Sequence, residues 1–274
     1  MEEFDGKVAV VTGAGSGIGR ALAHAFAAEG ASVVAADIEA EALAETAESS
    51  GTITTKVTDV ARYDDVLALA DAAFEAHGHV DVLCNNAGVF AGGLIWERPP
   101  SDFEWTLAVN LWGILHGIRA FVPRLIVAQR PAHIVNTVSM AGLCSTPYTA
   151  PYNVSKFAAL AASECLAHDL AAVGAPIDVS VVVPSAVASR IGTSGRNRPA
   201  GLASATSDDS EFVEQALIDL TGRGMSPDEA AAIVLDAIRT RTFLVPTKGS
   251  FEQQYGDRAA ALLARRLPPV PDFD

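Results

Sequence analysis

At 274 residues, half of them hydrophobic and 19% charged, the chain can bury one large core or two small ones. A formal net charge of −14 argues against nucleic acid or an anionic membrane surface as partner. Cys84, Cys144 and Cys165 are far apart with no CxxC, and the six histidines show no ligand spacing, so neither a disulfide framework nor a metal site is expected. The opening MEEFDGKVAVVTG is acidic and lacks an apolar signal core. No run of about 18 apolar residues follows, so the reading is a cytoplasmic protein without a membrane span.

Strand patterning begins at KVAVVT (7–12), which runs into the turn TGAGSGIGR ahead of a helix at 18–29. The glycines follow G-xxx-G-x-G rather than the commoner G-x-G-x-x-G. A phosphate in such a turn meets free backbone N–H groups and the positive end of a helix dipole. Gly13, Ser16, Gly17, Ile18 and Gly19 are therefore candidate coenzyme contacts. The second strand, SVVAAD (32–37), ends in Asp37, twenty residues beyond Gly17, where a carboxylate reaches the hydroxyls of an adenosine ribose. That carboxylate accepts two hydrogen bonds from NAD and repels the 2′-phosphate of NADP. No Lys or Arg lies inside the turn or directly after Asp37, so NAD is the expected coenzyme.

A helix at 39–49 and a strand at 51–57 lead to Asp59 and Val60, placed for the adenine. A helix at 62–77 and a strand at 80–85 lead to NNAG, which puts Asn86, Ala87 and Gly88 beside the adenine ribose. Next comes a helix at 101–128, opened by SDFE as a capping box and carrying Asn110 inside the apolar LAVNLWG. The strand at 133–139 ends in Ser139. In YTAPYNVSK (148–156), Tyr152 and Lys156 stand one turn apart on a helix at 151–173, while Tyr148 precedes Pro151 and lies off it.

A strand at 177–183 is followed by PSAVAS, then by an irregular segment at 186–224, rich in Ser, Gly, Arg and Asn, with an amphipathic piece at 209–221. A long insert of this kind reads as a substrate lid. SPDE (226–229) is a second capping box and opens a helix at 226–240. A strand at 242–246 and a tail at 249–274, with a helix at 250–266 and a proline-rich end, complete the chain. Valine-rich strands alternating with helices imply a single-domain, Rossmann-type, doubly wound parallel α/β sheet of about seven strands, with helices on both faces.

TGAGSGIG, Asp59, NNAG, Asn110, Ser139 and YNVSK together resemble the short-chain dehydrogenase/reductase family, from about Lys7 to Ser189. The resemblance implies hydride transfer between NAD and an alcohol or ketone, with Tyr152 as general acid/base and Ser139 bonding the substrate oxygen. It further implies that Lys156 holds the nicotinamide ribose and that the Asn110 carbonyl carries a relay water. The chemistry requires help for the phenol. Lowering a tyrosine from its usual pKa of about 10 by two to three units takes roughly 3–4 kcal/mol. One ammonium at about 4 Å supplies about that much at an effective dielectric of 20. Pro184, Ser185, Val187 and Ser189 complete the expected coenzyme contacts, with Ser185 standing where the family usually has glycine.

The expected substrate pocket comprises Phe90, Leu94, Ser139, Met140, Leu143, Cys144, Tyr148, Ala186 and Ile191, mostly apolar, which favours an apolar, aromatic or alicyclic secondary alcohol. Arg190, Arg196 and Arg198 read as exposed lid charges. The helices at 101–128 and 151–173 are apolar or small around most of their girth, so a homo-oligomer, tetramer or dimer, is expected. Two competing readings are a cyclic-diol or hydroxysteroid dehydrogenase and a non-catalytic NAD-binding sensor. An intact Asn110, Ser139, Tyr152 and Lys156 set argues against the sensor.

Overall fold

Successive side chains on a strand point to opposite faces, so a strand that is apolar throughout must be covered on both. The computed structural model, which describes residues 1, 3–202 and 206–272, shows that arrangement. Seven parallel strands lie in the order β3-β2-β1-β4-β5-β6-β7, with β1 at Val8–Thr12, β2 at Ser32–Asp37, β3 at Ile53–Val57 and β4 at Val82–Asn85. The remaining three are β5 at Ala132–Thr137, β6 at Ile177–Val183 and β7 at Leu244–Pro246.

On β1, Ala9 and Val11 pack beneath Leu22 and Phe26 of α1 (Gly17–Ala28), Leu43 of α2 (Ala40–Ala47) and Val234 and Ile238 of a later helix, α8 (Pro227–Thr240). Val8 and Val10 point the other way, to Leu69 of α3 (Tyr63–His77), to Phe121 and Leu125, and to Leu166 and Leu170. Complete burial of side chains such as Leu69 and Phe121 contributes about 1.5–3 kcal/mol each. The chain winds outward from β1 toward β3, then returns to β4 on the other side. The loops after β1 and β4 therefore diverge, and open sheets bind ligands in the crevice this leaves.

The stretch read as one helix at 101–128 is three pieces: α4 (Pro100–Leu107), a π-helical turn (Ala108–Trp112) and α5 (Gly113–Ala128). Ser101 lies inside α4, whose N-cap is Pro99 with no side-chain cap, so SDFE is not a capping box. By length and composition alone, residues 100–128 could cross a membrane, although the sequence shows no long unbroken apolar run. Here they form a core element, with Ile114, Phe121 and Leu125 buried against the sheet and Gly117 seated on Asn85.

α6 spans Ala150–Ala172. After β6 the lid region contains a 3-10 turn at Ile191–Asn197, which the sequence reading leaves irregular, and α7 at Asp208–Gly222. Residues 203–205 of the lid, and residues 273–274 of the tail, lie outside the described residues. α8 (Pro227–Thr240) opens with the expected capping box, Glu229 N–H donating to the Ser226 hydroxyl at 3.2 Å and Ser226 N–H to the Glu229 carboxylate at 3.1 Å. α9 covers Phe251–Leu263.

Candidate active site

The loops that follow β1 to β6 border one cavity of about 820 Å³. Its first wall is the glycine turn. Gly13 has φ +67°, and a Cβ there would sit 2.7 Å from the Ala87 Cα. Gly17 has φ +51° and faces Ser189, so both positions need glycine for conformation as well as space. Gly13, Ser16, Gly17 and Ile18 line the cavity at the start of α1, where Ser16 makes no side-chain cap and the first N–H groups stay available. Gly19 is not among the lining residues. It lies behind the turn, where a side chain would collide with the Gly13 carbonyl oxygen and the Asn86 amide.

Asp37 enters at the far end of the cavity, its carboxylate steadied by the Gly15 N–H at 2.8 Å and the Glu39 N–H at 3.0 Å. Asp59 and Val60 line the adjacent wall, and Asp59 accepts from the Ala61 N–H at 3.0 Å. The NNAG loop is clamped across three strands. The Thr12 hydroxyl accepts from the N–H groups of Asn86 (2.9 Å) and Ala87 (3.2 Å). The Asn86 amide donates to the Thr12 carbonyl at 3.0 Å and accepts from the Thr137 hydroxyl at 3.1 Å. Asn86, Ala87 and Gly88 all reach the cavity. Thr12 and Thr137 are supports that sequence reasoning passed over as ordinary strand residues.

At the other end, α6 carries Tyr152 and Lys156 on the face turned to the cavity. The Lys156 side chain, 2% exposed as a residue, donates to the Thr137 carbonyl at 3.0 Å and sits 5.6 Å from the centre of the Tyr152 ring. The Ser139 hydroxyl accepts from the Ala141 N–H at 3.1 Å and lies near enough to the Tyr152 phenol to favour its ionised form. Part of the Tyr152 surface opens into the cavity, but protein walls that space, and burial pushes its phenol up to about 12 against the helpful pull of Ser139. Burial also brings Lys156 down to about 7. The expected lowering of the tyrosine by the Lys156 ammonium, to which a cationic nicotinamide ring would add, is not produced by the chain's own groups, where desolvation dominates both residues.

Asn110 stands in the π-helical turn, 1% exposed. Its amide accepts from the Val89 N–H at 2.8 Å and donates to the Val89 carbonyl and the Ser155 hydroxyl, each at 2.9 Å. The buried amide is therefore satisfied, and the turn around it shifts the backbone off the α-helical ladder, as such turns do at functional sites. Another buried asparagine, Asn153, ties α6 to the loop after β5 by donating to the carbonyls of Ala141 (2.7 Å) and Cys144 (2.9 Å).

Phe90, Ser139, Met140, Tyr148, Ala186 and Ile191 line the cavity as expected, and Tyr148 lies off the helix with φ 63°. Leu94, Leu143 and Cys144 do not line it. The 3-10 turn at Met140–Gly142 carries Leu143 and Cys144 into a cluster with Ile114 and Val138, and the Leu94 N–H is held by Asp209 at 2.5 Å. In their place stand Trp105 and Val109, then Phe212, Leu217 and Leu220 of α7 and Val270 of the tail. Pro184, Ser185, Val187 and Ser189 line the coenzyme side. Ser185 is absent from the positive-φ residues and donates its N–H to the Thr247 hydroxyl at 3.1 Å, so this loop keeps its path without the usual glycine.

Of the lid arginines, Arg190 and Arg196 are exposed as expected, but they are paired. Arg190 and Arg196 pair with Glu39 at 2.9 and 2.6 Å, and the Asn197 amide donates to the same carboxylate at 2.8 Å. Burial opposes ionisation of Glu39, but the hydrogen bonds of Arg196 and Asn197 and the two guanidinium charges outweigh it and hold its pKa at about 2. Arg198 is deeper, 2.7 Å from Asp102. The sequence shows the arginines but not Glu39 as their partner, since 151 residues separate it from Arg190.

A family model described as short chain dehydrogenase matches residues 7–199. The 1-deoxy-11-beta-hydroxypentalenate dehydrogenase of Streptomyces avermitilis is 38% identical over 256 residues, covering 91% of this chain and 87% of its own. The CLA biosynthesis dehydrogenase/reductase of Lactiplantibacillus plantarum is 30% identical over 288 residues, 100% of this chain and 99% of its own. Among solved structures, a short chain dehydrogenase/reductase from Burkholderia phymatum in complex with NAD is similar at a TM-score of 0.96 and 38% identity, covering 99% of each chain.

Proposed function

The chain belongs to the short-chain dehydrogenase family and is an oxidoreductase, and from that premise we propose that it transfers hydride between NAD(H) and an apolar secondary alcohol or ketone. The observation that carries this reading is the opening of Ser139, Tyr152, Lys156 and Asp37 onto one cavity. The residues present fit the coenzyme. A glycine-rich turn and an uncapped helix start suit a pyrophosphate, the Asp37 carboxylate suits ribose hydroxyls, and the Lys156 ammonium suits a second ribose. Bound NAD supplies the hydride acceptor.

In the oxidative direction, Ser139 holds the substrate oxygen and the Tyr152 phenolate takes the hydroxyl proton as the carbinol C–H gives up its hydride. Lys156, in its protonated form, sets positive charge beside that phenolate, and the proton leaves toward the Asn110 turn. The apolar wall of Phe90, Trp105, Met140, Phe212 and Leu217 favours a bulky hydrocarbon skeleton. The hydroxyl named in the Streptomyces relative's substrate agrees with an alcohol as the group oxidised.

The test is NADH formation on a panel of alicyclic, aryl and steroid secondary alcohols, with NADP as the comparison coenzyme. Turnover of one class with NAD supports the proposal. Tight NAD binding with silence across the whole panel would instead favour a sensor. We also infer a homo-oligomer from the apolar surface left on the long helices, where Trp112, Val127 and Val154 are exposed in the single chain. Gel filtration at the monomer mass would refute it.

A further inference from the structure

Two segments of the chain meet where Asp37 enters the cavity. Asp37, Glu39, Arg190, Arg196 and Asn197 all line its edge, although the first two follow β2 and the others belong to the lid. Glu39 accepts from Arg190 through one carboxylate oxygen at 2.9 Å. Its other oxygen accepts from Arg196 Nη2 at 2.6 Å, Arg196 Nε at 3.0 Å and Asn197 at 2.8 Å. Arg196 is fixed a second time, donating from Nη1 to the carbonyls of Arg190 and Thr193, both at 3.0 Å. Two guanidinium groups, which form the strongest bidentate contacts with phosphate of any side chain, are thus placed beside the acid expected to read the adenosine ribose.

We propose that Glu39 is a specificity-determining residue for the coenzyme: by engaging Arg190 and Arg196 it denies a 2′-phosphate the cations that would otherwise receive it. This rests on reading the cavity as an NAD site. Formal charges at this edge sum to zero, Asp37 and Glu39 against Arg190 and Arg196. Neutralising Asp37 removes one repulsion but leaves the arginines engaged. Neutralising Glu39 as well leaves two positive charges, and Arg196 stays in place through its bonds to the 190–193 turn. NAD selection is therefore shared between Asp37 and Glu39, and the two positions are coupled.

The experiment is a double-mutant cycle in the full chain, with dissociation constants for NAD and NADP measured by calorimetry, independently of turnover. Asp37→Ser is expected to weaken NAD and to tighten NADP only slightly. Glu39→Gln is expected to tighten NADP a few-fold while leaving NAD within about twofold. The double variant is expected to bind NADP about tenfold more tightly than the product of the single effects, in line with coupling between neighbouring charges. Arg196→Met in that background is expected to erase the gain.

Additive single effects would overturn the proposal. So would a Glu39→Gln variant that weakens both coenzymes equally and melts earlier, since Glu39 would then only fasten the lid. A wild-type chain that binds neither coenzyme would overturn the NAD reading itself, and the proposal with it.

Discussion

Tyr152→Phe is expected to lower kcat for NAD-dependent alcohol oxidation by about 10²–10⁴-fold, the usual contribution of a positioned general base, with the NAD dissociation constant nearly unchanged. The substitution removes one oxygen and keeps the ring. That ring packs on Phe90 with centroids 5.2 Å apart and under the Lys156 ammonium at 5.6 Å, contacts that phenylalanine reproduces. What is lost is the phenol oxygen that Ser139 influences. Burial pushes this phenol up to about 12, so the reactive phenolate is a minor form at neutral pH. Oxidation by the wild-type chain should therefore speed up as pH rises, and reduction, which needs the protonated phenol, should not. The phenylalanine variant should lose the alkaline rise along with the rate. Retained turnover within about tenfold of wild type would remove Tyr152 from the reaction and point to Ser139 or a water as base.

The parts of this site legible in the sequence were those whose chemistry is written locally. Asp37 ends a strand and Asp59, Asn86 and Ser139 each come after one, and in a parallel sheet every strand delivers its C-terminal end to the same edge, so their meeting could be foreseen without coordinates. Tyr152 and Lys156 needed only the helical repeat. What stayed hidden depends on long-range placement or on small backbone departures. Leu143 and Cys144 follow Ser139 closely enough to suggest the pocket, but a single 3-10 turn swings them into the core. Glu39 looks like an ordinary first-turn acid until the lid brings Arg190 and Arg196 across to it. The π-helical turn at Asn110 leaves no mark in the apolar run LAVNLWG, and the pairing of the Asn110 side-chain amide with the Val89 backbone joins residues 21 apart in sequence.

Lys156→Met is expected to cost most of the activity and yet raise thermal stability, which separates the demands of chemistry from those of folding. The lysine lies in the protein interior with one backbone acceptor, the Thr137 carbonyl. Burial lowers its pKa from 10.5 to about 7. Between those two values the unfolded chain binds more protons than the folded one, so wild-type stability rises with pH across that window. Below about pH 7 both states carry the charge and the full penalty of burying it. Methionine has similar length and no charge, so the variant should melt several degrees higher near pH 6–7, an effect on the order of a few kcal/mol. The difference should shrink steadily toward pH 10.5, where the wild-type lysine is neutral when folded and only half-charged when unfolded. Melting curves without NAD from pH 6 to 10, beside NADH formation at the same pH values, test both halves. A variant that melts below wild type at pH 7 would mean that the ammonium is well accommodated where it sits. Lys156 would then stay charged throughout the working range, and its influence on Tyr152 would not fade as the pH rises.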